Sequence, residues 1–191
     1  MKSTNIPERI HQACRRLALR RGFYHLTVDE LAREAGVSKR TLYRYYRSKE
    51  EIIEATLDAF TREISDDMDL LLQQGSEPAI LLKNMFELLA DQGRFIINPS
   101  TLYDLEKHYP QLWQKIDRFR VERIKQVLSS MSSQSPYLEV SSHFSLSILT
   151  TVITSSVQAI LNPTFILENG LTFEEAAGQL SQLLIKILQS V

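Results

Sequence analysis

The chain has 191 residues, of which 43% are hydrophobic and 24% charged, with six glycines, six prolines and one cysteine. This composition excludes a disordered, collagen-like or disulfide-stabilised protein and predicts a globular one. Cys14 lies among apolar residues at helical spacing, so we expect a buried thiol in a reducing compartment. The first ten residues lack the apolar segment of a secretory signal, and the expected location is cytoplasmic.

The charge is divided unevenly along the chain. Residues 1–50 carry 12 Lys and Arg against five Asp and Glu, a net charge of +7, whereas residues 51–191 carry a net charge of −8. Clustered cations gain affinity for a polyanion by releasing its counterions. The asymmetry therefore suggests a polyanionic partner for the first quarter of the chain, the alternative being a basic face that only contacts water.

One long segment has to be tested as a membrane span. Residues 140–167 contain no Asp, Glu, Lys or Arg, and the length alone would allow a bilayer crossing. Eight of the 18 residues in 144–161 are Ser, Thr or Gln, however, which makes the segment too polar for lipid. We expect no membrane helix there.

Apolar residues recur at a spacing of three to four along nearly the whole chain, which predicts an all-α fold of about nine helices. Three helix starts carry the capping-box pattern, in which Thr27, Ser48 and Thr172 are each followed three residues later by Glu. Glycines, prolines and serine-rich turns separate the helices. The predicted helices lie near residues 7–21, 27–35, 38–45, 48–73, 79–92, 100–107, 111–130, 140–161 and 173–189.

The second and third predicted helices are joined by a very short turn around Gly36. Glycine can adopt the left-handed conformation that ends a helix, and Ser38 can cap the next one, so the pattern predicts a helix-turn-helix. On the third helix only Leu42 and Tyr46 need to face inward. The remaining cations, hydroxyl and phenols then face outward, where they can contact DNA phosphates and base edges. The alternative is that the tyrosines only pack against neighbouring helices.

The segment TVDELAREAGVSKRTLYRYYRSKE, from Thr27 to Glu50, resembles the signature of the TetR family of bacterial transcriptional regulators. The resemblance extends over about residues 8–57. It implies a helix-turn-helix DNA-binding domain at 1–50 and a helical effector-binding and dimerisation domain at 51–191. The DNA-binding residues it implies are Thr27, Lys39, Arg40, Thr41, Tyr43, Arg44, Tyr45 and Lys49.

Two arginines of the third helix are expected to differ in role. Arg40 lies near the helix N-terminus, which enters the major groove in helix-turn-helix proteins, and its guanidinium suits guanine O6 and N7. Arg44, one turn later, is expected to reach phosphate. The alternative is that both contact only the DNA backbone. Lys49 is expected to bind phosphate at the N-terminus of the fourth helix.

The helix predicted at 140–161 has two apolar faces. One face contains Phe144, Ile148, Val152 and Ala159, and either face could pack on its own domain while the other meets a second chain. With the last helix, this predicts a homodimer through a four-helix bundle, the alternative being a helix buried within one chain. The predicted interface residues are Leu146, Leu149, Ile153, Val157, Ile160, Leu180, Leu183, Leu184 and Ile187.

Large side chains in the acidic part of the chain could line an apolar cavity for a small-molecule effector, or could form plain core. These residues are Phe60, Met85, Phe86, Leu89, Tyr103, Trp113 and Phe119. His108 and His143 have no metal-ligand neighbours at useful spacing, so we expect no metal site, and no cofactor is expected.

Together these features predict a homodimeric regulator that binds a double-stranded DNA operator and acts as a repressor released by a small-molecule effector. An alternative is a nucleoid-associated protein that binds DNA without sequence preference. A helical enzyme is the other, although the chain contains no GxSxG, Walker A, GxGxxG, HExxH or CxxC motif, and we expect no catalytic residues.

Overall fold

A computed structural model describes residues 5–76, 78–134 and 145–189. Over these residues the chain forms 11 helices and no strand, which confirms the predicted all-α class. The helices are α1 (Ile6–Arg21), α2 (Val28–Ala35), α3 (Lys39–Tyr43), α4 (Lys49–Gln73), α5 (Pro78–Gln92), α6 (Arg94–Ile97), α7 (Pro99–His108), α8 (Pro110–Gln134), α9 (Leu146–Ile160), α10 (Pro163–Glu168) and α11 (Phe173–Gln189).

The structure corrects the predicted helix count and several boundaries. Two short helices, α6 and α10, lie where glycines and prolines predicted only turns. Pro163 is the first residue of α10, a position where proline's missing N–H costs no hydrogen bond. Helix α3 ends at Tyr43 and not at residue 45. The backbone N–H groups of Tyr45 and Tyr46 nevertheless both donate to the Leu42 carbonyl and continue the turn. The predicted start of the helix at 140–161 lies outside the described residues, and its described part begins at Leu146.

The chain divides into two compact units. The first comprises residues 1–63 and 93–114, so it joins the N-terminal helices to α6 and α7. Its core includes Ile10, Phe23, Leu31, Leu42 and Leu105, none of which is more than 1% exposed. Cys14 is fully buried in this unit, as predicted, and burial raises the pKa of its thiol to about 12.

The second unit comprises residues 64–92 and 115–191. Its core is built from α9, α10 and α11, with Phe86 of α5 and Ile124 of α8 packed against it. The core residues are Val157, Leu161, Ile166, Ala176, Ala177, Leu180 and Leu184. The predicted functional boundary between residues 50 and 51 stays a prediction, because these units describe packing and not function.

Within the described ranges, no helix has both the length and the apolar character that crossing a bilayer requires.

Candidate nucleic-acid interface

The turn between α2 and α3 requires glycine for two reasons. Gly36 has a φ of 64° in the left-handed region, and its N–H donates to the carbonyls of Ala32 and Arg33. The Arg9 guanidinium donates to the Gly36 carbonyl at 2.7 Å, and a Cβ at this position would lie 2.8 Å from Arg9 Nη2. A side chain at Gly36 would therefore both strain the backbone and displace Arg9.

Helix α3 is anchored by its inward side chains, as predicted. Ser38 caps the helix by accepting from the N–H of Thr41, and Leu42 is fully buried. Tyr46 is 9% exposed, and its hydroxyl lies 2.7 Å from Nε2 of His11 on α1. Burial lowers the pKa of His11, which favours the neutral ring. These contacts fix α3 against α1 and leave its other side open.

The open side of α3 carries cations and phenols. Tyr43 and Tyr45 are 48% and 42% exposed, so about half of each side chain faces solvent. Arg40 and Arg44 are also exposed, and in the part of the chain that the structure describes neither forms an ion pair. Two unpaired guanidinium groups therefore lie one helical turn apart, beside two exposed phenols.

Lys39 and Thr41 are placed differently from the arginines. The Lys39 ammonium lies 2.9 Å from Oδ1 of Asp29 on α2, and this carboxylate raises the pKa of Lys39. A DNA phosphate would have to compete with Asp29 for that ammonium. Thr41 is partly exposed, and its hydroxyl lies 2.8 Å from the Ser38 hydroxyl at the cap of the helix.

Thr27 is already occupied by a carboxylate of its own helix. The Thr27 hydroxyl accepts from the Glu30 N–H, and the Thr27 N–H and hydroxyl donate to Glu30 Oε2 at 3.1 and 2.8 Å, so the predicted capping box is confirmed. Arg21 pairs with Glu30 at 2.5 Å, and Arg21 and Thr27 together lower the pKa of Glu30 to about 2. Phosphate binding at Thr27 would have to rely on the free backbone N–H groups that follow it.

Carboxylates neutralise several cations of α1. Glu34 accepts from Arg16 at 2.7 Å and from Arg20 at 2.8 Å, and these arginines lower the pKa of Glu34. Arg15 forms a two-pronged pair with Glu63. Four arginines of α1 therefore have a carboxylate partner, namely Arg15, Arg16, Arg20 and Arg21, whereas Arg9 donates to the Gly36 carbonyl beside α3.

A group of residues around Lys49 was not predicted from the sequence. The Lys49 ammonium donates to the Tyr24 carbonyl at 2.8 Å and lies 5.7 Å from the centroid of the Tyr24 ring. The Tyr24 N–H donates to the buried carboxylate of Asp104 on α7. A Gly-Phe-Tyr turn shortly before a helix cap could have indicated Tyr24, but no sequence pattern relates it to a residue 80 positions away.

The predicted effector-binding residues are divided between the two units. Phe60 belongs to the first unit and packs edge-on against Phe95 at a centroid distance of 5.3 Å. Tyr103, in the same unit, is 52% exposed, and Trp113 is partly buried. The second unit holds the remaining four, which are Met85, Phe86, Leu89 and Phe119. Met85 is 5% exposed, and the other three are partly buried.

The predicted dimer residues fall on both sides of their helices. Val157, Leu180 and Leu184 are at most 7% exposed and already have partners in the core of their own chain. Ile153 and Ile160 pack against that core, and Leu149 is partly buried. Leu183 is 54% exposed. The side chains of Leu146 and Ile187 lie outside the described part of the structure.

The other face of α9 is the open one. Ile148 and Val152 are 55% and 49% exposed, and Ala159 is exposed on the same side of the helix. Phe144, predicted on this face, lies outside the described residues. A stripe of aliphatic side chains is thus left facing solvent in the single chain.

The described histidines do not form a metal centre. His108 stacks on the ring of Tyr24 at 3.8 Å, while His143 lies outside the described residues. In the ranges covered by the structure, no three His, Cys, Asp or Glu side chains cluster as metal ligands would.

Residues 10–56 match the model of the family described as "Bacterial regulatory proteins, tetR family". An uncharacterized HTH-type transcriptional regulator of Bacillus subtilis (strain 168) is 32% identical over 118 residues, which are 61% of this chain and 61% of that protein. The chain spans about half the length of the curated relatives that it matches.

Solved structures share the fold over nearly the whole chain. A transcriptional regulator from Cytophaga hutchinsonii has a TM-score of 0.69 at 17% identity, covering 95% of this chain and 93% of its own. The transcriptional regulator FadR from Bacillus subtilis, in complex with stearoyl-CoA, has a TM-score of 0.60 at 16% identity, covering 93% and 96%. At such identities the likeness concerns the fold.

Proposed function

Because this chain belongs, through residues 10–56, to the TetR family of bacterial regulatory proteins, we propose that it binds operator DNA as a homodimer and represses transcription until a small-molecule effector binds. Residues 1–50 would bind the DNA, and residues 51–191 would bind the effector and form the dimer. Its place of action would be the cytoplasm, where the DNA lies.

The DNA-binding part of the proposal rests on one observation, that Arg40 and Arg44 are exposed and unpaired among the described residues. Both are exposed on a helix whose opposite side is anchored by Leu42, and within the described residues neither has a carboxylate partner. Two unpaired guanidinium groups beside exposed phenols do not stabilise the folded chain. Their presence on the surface supports contact with a polyanion that has base edges to read.

Selection from a randomised pool of duplex DNA tests this part. We expect the full-length protein to enrich a palindromic consensus, because a twofold dimer presents two α3 helices. Enrichment without any consensus would instead favour a nucleoid-associated protein that reads only the backbone. Failure to retain DNA at about 50 mM salt, where phosphate contacts are strong, would contradict DNA binding itself.

The dimer part is supported by the open face of α9. Ile148, Val152 and Ala159 form an exposed stripe, and Leu183 of α11 is also exposed. The interface therefore uses this face together with Leu183, in place of the stripe through Val157 that is buried in its own chain. Contiguous exposed aliphatic surface of this kind is typical of a protein–protein contact.

The effector part is supported by partly buried apolar side chains of the second unit, Phe86, Leu89 and Phe119. The likeness in fold to FadR, which was solved with stearoyl-CoA, gives that compound as a first probe. A metabolite library that includes stearoyl-CoA is screened for compounds that raise the Tm of the protein. An effector must also weaken binding to the selected DNA, because it has to prefer the conformation that does not bind the operator. A library in which no compound does both would contradict this part.

We also infer that the protein is not an enzyme. The matching relatives from Bacillus subtilis and Haemophilus influenzae are named HTH-type transcriptional regulators, and the described residues offer no metal cluster. Turnover of any compound that the screen finds to bind would contradict this inference.

A further inference from the structure

Resting on the proposed function, we propose that Asp104 of α7 is a positioning residue for DNA binding, which holds Tyr24 so that the Tyr24 carbonyl fixes the ammonium of Lys49 toward a phosphate. Asp104 itself would touch no DNA. Its influence would pass through one residue of the turn between α1 and α2.

The contact between Asp104 and the turn is close and buried. Asp104 is only 6% exposed, and its Oδ2 accepts the Tyr24 N–H at 2.8 Å. Gly22, two residues earlier, has a φ of 77°, and a Cβ there would lie 2.2 Å from the same oxygen. The turn therefore approaches the carboxylate so closely that only glycine fits. A buried carboxylate that accepts a backbone N–H makes a strong, directional hydrogen bond.

Helix α7 is held in place independently of this carboxylate. The hydroxyl of Thr101, one turn before Asp104, donates to the Ala18 carbonyl of α1 at 3.2 Å. His108, one turn after it, stacks on the Tyr24 ring at a centroid distance of 3.8 Å and an angle of 21°. Tyr24 is thus held through both its backbone and its ring by a single helix.

The other side of Tyr24 holds Lys49. The Tyr24 carbonyl accepts from the Lys49 ammonium at 2.8 Å, and the ammonium lies 5.7 and 6.0 Å from the ring centroids of Tyr24 and Tyr109. An ammonium has three donors, so two remain for a phosphate. A free lysine loses much rotamer entropy when it binds. Anchoring it in advance removes part of that cost.

The test measures how the affinity of the full-length protein for a random-sequence DNA duplex depends on salt. Each phosphate contact contributes about 0.9 to the slope of log affinity against log salt, which corresponds to about tenfold in affinity near 0.1 M. We expect Lys49→Ala to remove about one unit of slope, and Asp104→Ala to remove most of the same unit. Asp104→Asn keeps an oxygen that can accept the Tyr24 N–H, so the slope should be retained.

Two comparisons separate positioning from other effects. Glu106→Gln removes an exposed carboxylate of the same helix and controls for the change in charge. Asp104→Ala should have no further effect in the Lys49→Ala background, because the two residues act through one contact. A folded Asp104→Ala protein with the wild-type slope, or losses of slope that add in the double variant, would overturn the proposal.

If the Asp104→Ala protein does not fold, His108→Ala is tested in its place. His108 is exposed, and its removal leaves the buried carboxylate of Asp104 in place. We expect it to weaken random-duplex binding about twofold or more, as loss of a stacked pair does, and to have no effect in the Lys49→Ala background. Unchanged affinity would overturn the proposal. Failure of the wild-type protein to bind any duplex would contradict the proposed function, whereas a normal Lys49→Ala effect without an Asp104 or His108 effect contradicts this inference alone.

Discussion

Helix α3 in the first unit and helix α9 in the second each bury one side in their own unit, but their exposed sides differ in chemistry. Around Leu42, α3 and the two residues that follow it expose two unpaired arginines and two phenols. Opposite Val157, α9 exposes Ile148 and Val152 and no charged residue at all. A charged face with hydrogen-bond donors suits a hydrated polyanion, whereas an aliphatic face gains only by leaving water.

Under the proposed function, the two helices make different kinds of contact. Loss of a surface arginine would then remove one or two contacts and leave the rest of the proposed DNA interface intact. A charge placed in an aliphatic interface is buried without a partner, so the whole contact is destabilised. We therefore expect substitutions on α9 to have larger effects than substitutions on α3.

The largest effect is expected for Val152→Glu. If the open face of α9 forms the dimer, the buried carboxylate should produce a monomer, and loss of two-site binding should weaken operator affinity by about a hundredfold or more. Light scattering at low concentration and binding to the selected DNA measure both effects. Leu70→Glu, at a residue of α4 that is 56% exposed, is the matched control. A dimeric Val152→Glu protein would refute the assignment of this face.

The two neighbouring leucines of α11 sharpen the distinction between the inner and outer sides. Leu184 is 4% exposed and Leu183 54% exposed. Leu184→Ala should lower the free energy of unfolding by about 2–5 kcal/mol through the cavity that it leaves. Leu183→Ala should weaken dimerisation, with an effect on the stability of the single chain below about 1 kcal/mol. Urea denaturation measures the free energy of unfolding of each variant, and sedimentation analysis measures its dimerisation. Equal losses of stability in the two variants would contradict the inward placement of Leu184 and the outward placement of Leu183.

Substitutions on α3 should have intermediate effects that differ in kind. Arg40→Ala should cost about 1–3 kcal/mol of operator binding and relax the preference at one base pair in each half-site. Arg44→Ala should weaken all sequences alike. Lys39→Ala is the matched control with a smaller expected loss, because Asp29 already pairs with this ammonium. Each variant is assayed against the randomised DNA pool, and an unchanged consensus for Arg40→Ala would show that Arg40 does not read bases.

The smallest effect concerns the anchor of α3 on α1. Burial lowers the folded-state pKa of His11 below its ordinary value of 6.5, so the unfolded chain takes up a proton at a pH where the folded chain does not. The free energy of unfolding should therefore fall as the pH drops from about 7.5 to about 5.5. His11→Gln should reduce this dependence, whereas His25→Gln, at an exposed histidine, should leave it unchanged. A His11→Gln protein with the wild-type dependence would exclude His11 as its source.

Local sequence patterns were sufficient for most of the helices and for the inward side of α3. The capping box at Thr27, the left-handed glycine at Gly36 and the four-residue spacing of Leu42 and Tyr46 all act within a few residues. Such features are decided by backbone geometry and short hydrogen bonds, so the sequence predicts them directly. The same spacing also predicted that α9 has two apolar faces.

Only the tertiary structure decided which of those faces is buried and which charges are free. Periodicity places Val157 and Val152 on different sides of α9, but the neighbours supplied by α11 determine which side is covered. Lys39 and Arg40 look alike as adjacent cations until Asp29 is found beside one of them. The contact of Asp104 with Tyr24 joins residues that are 80 positions apart. Contacts of this kind depend on how helices pack, which no short stretch of sequence contains.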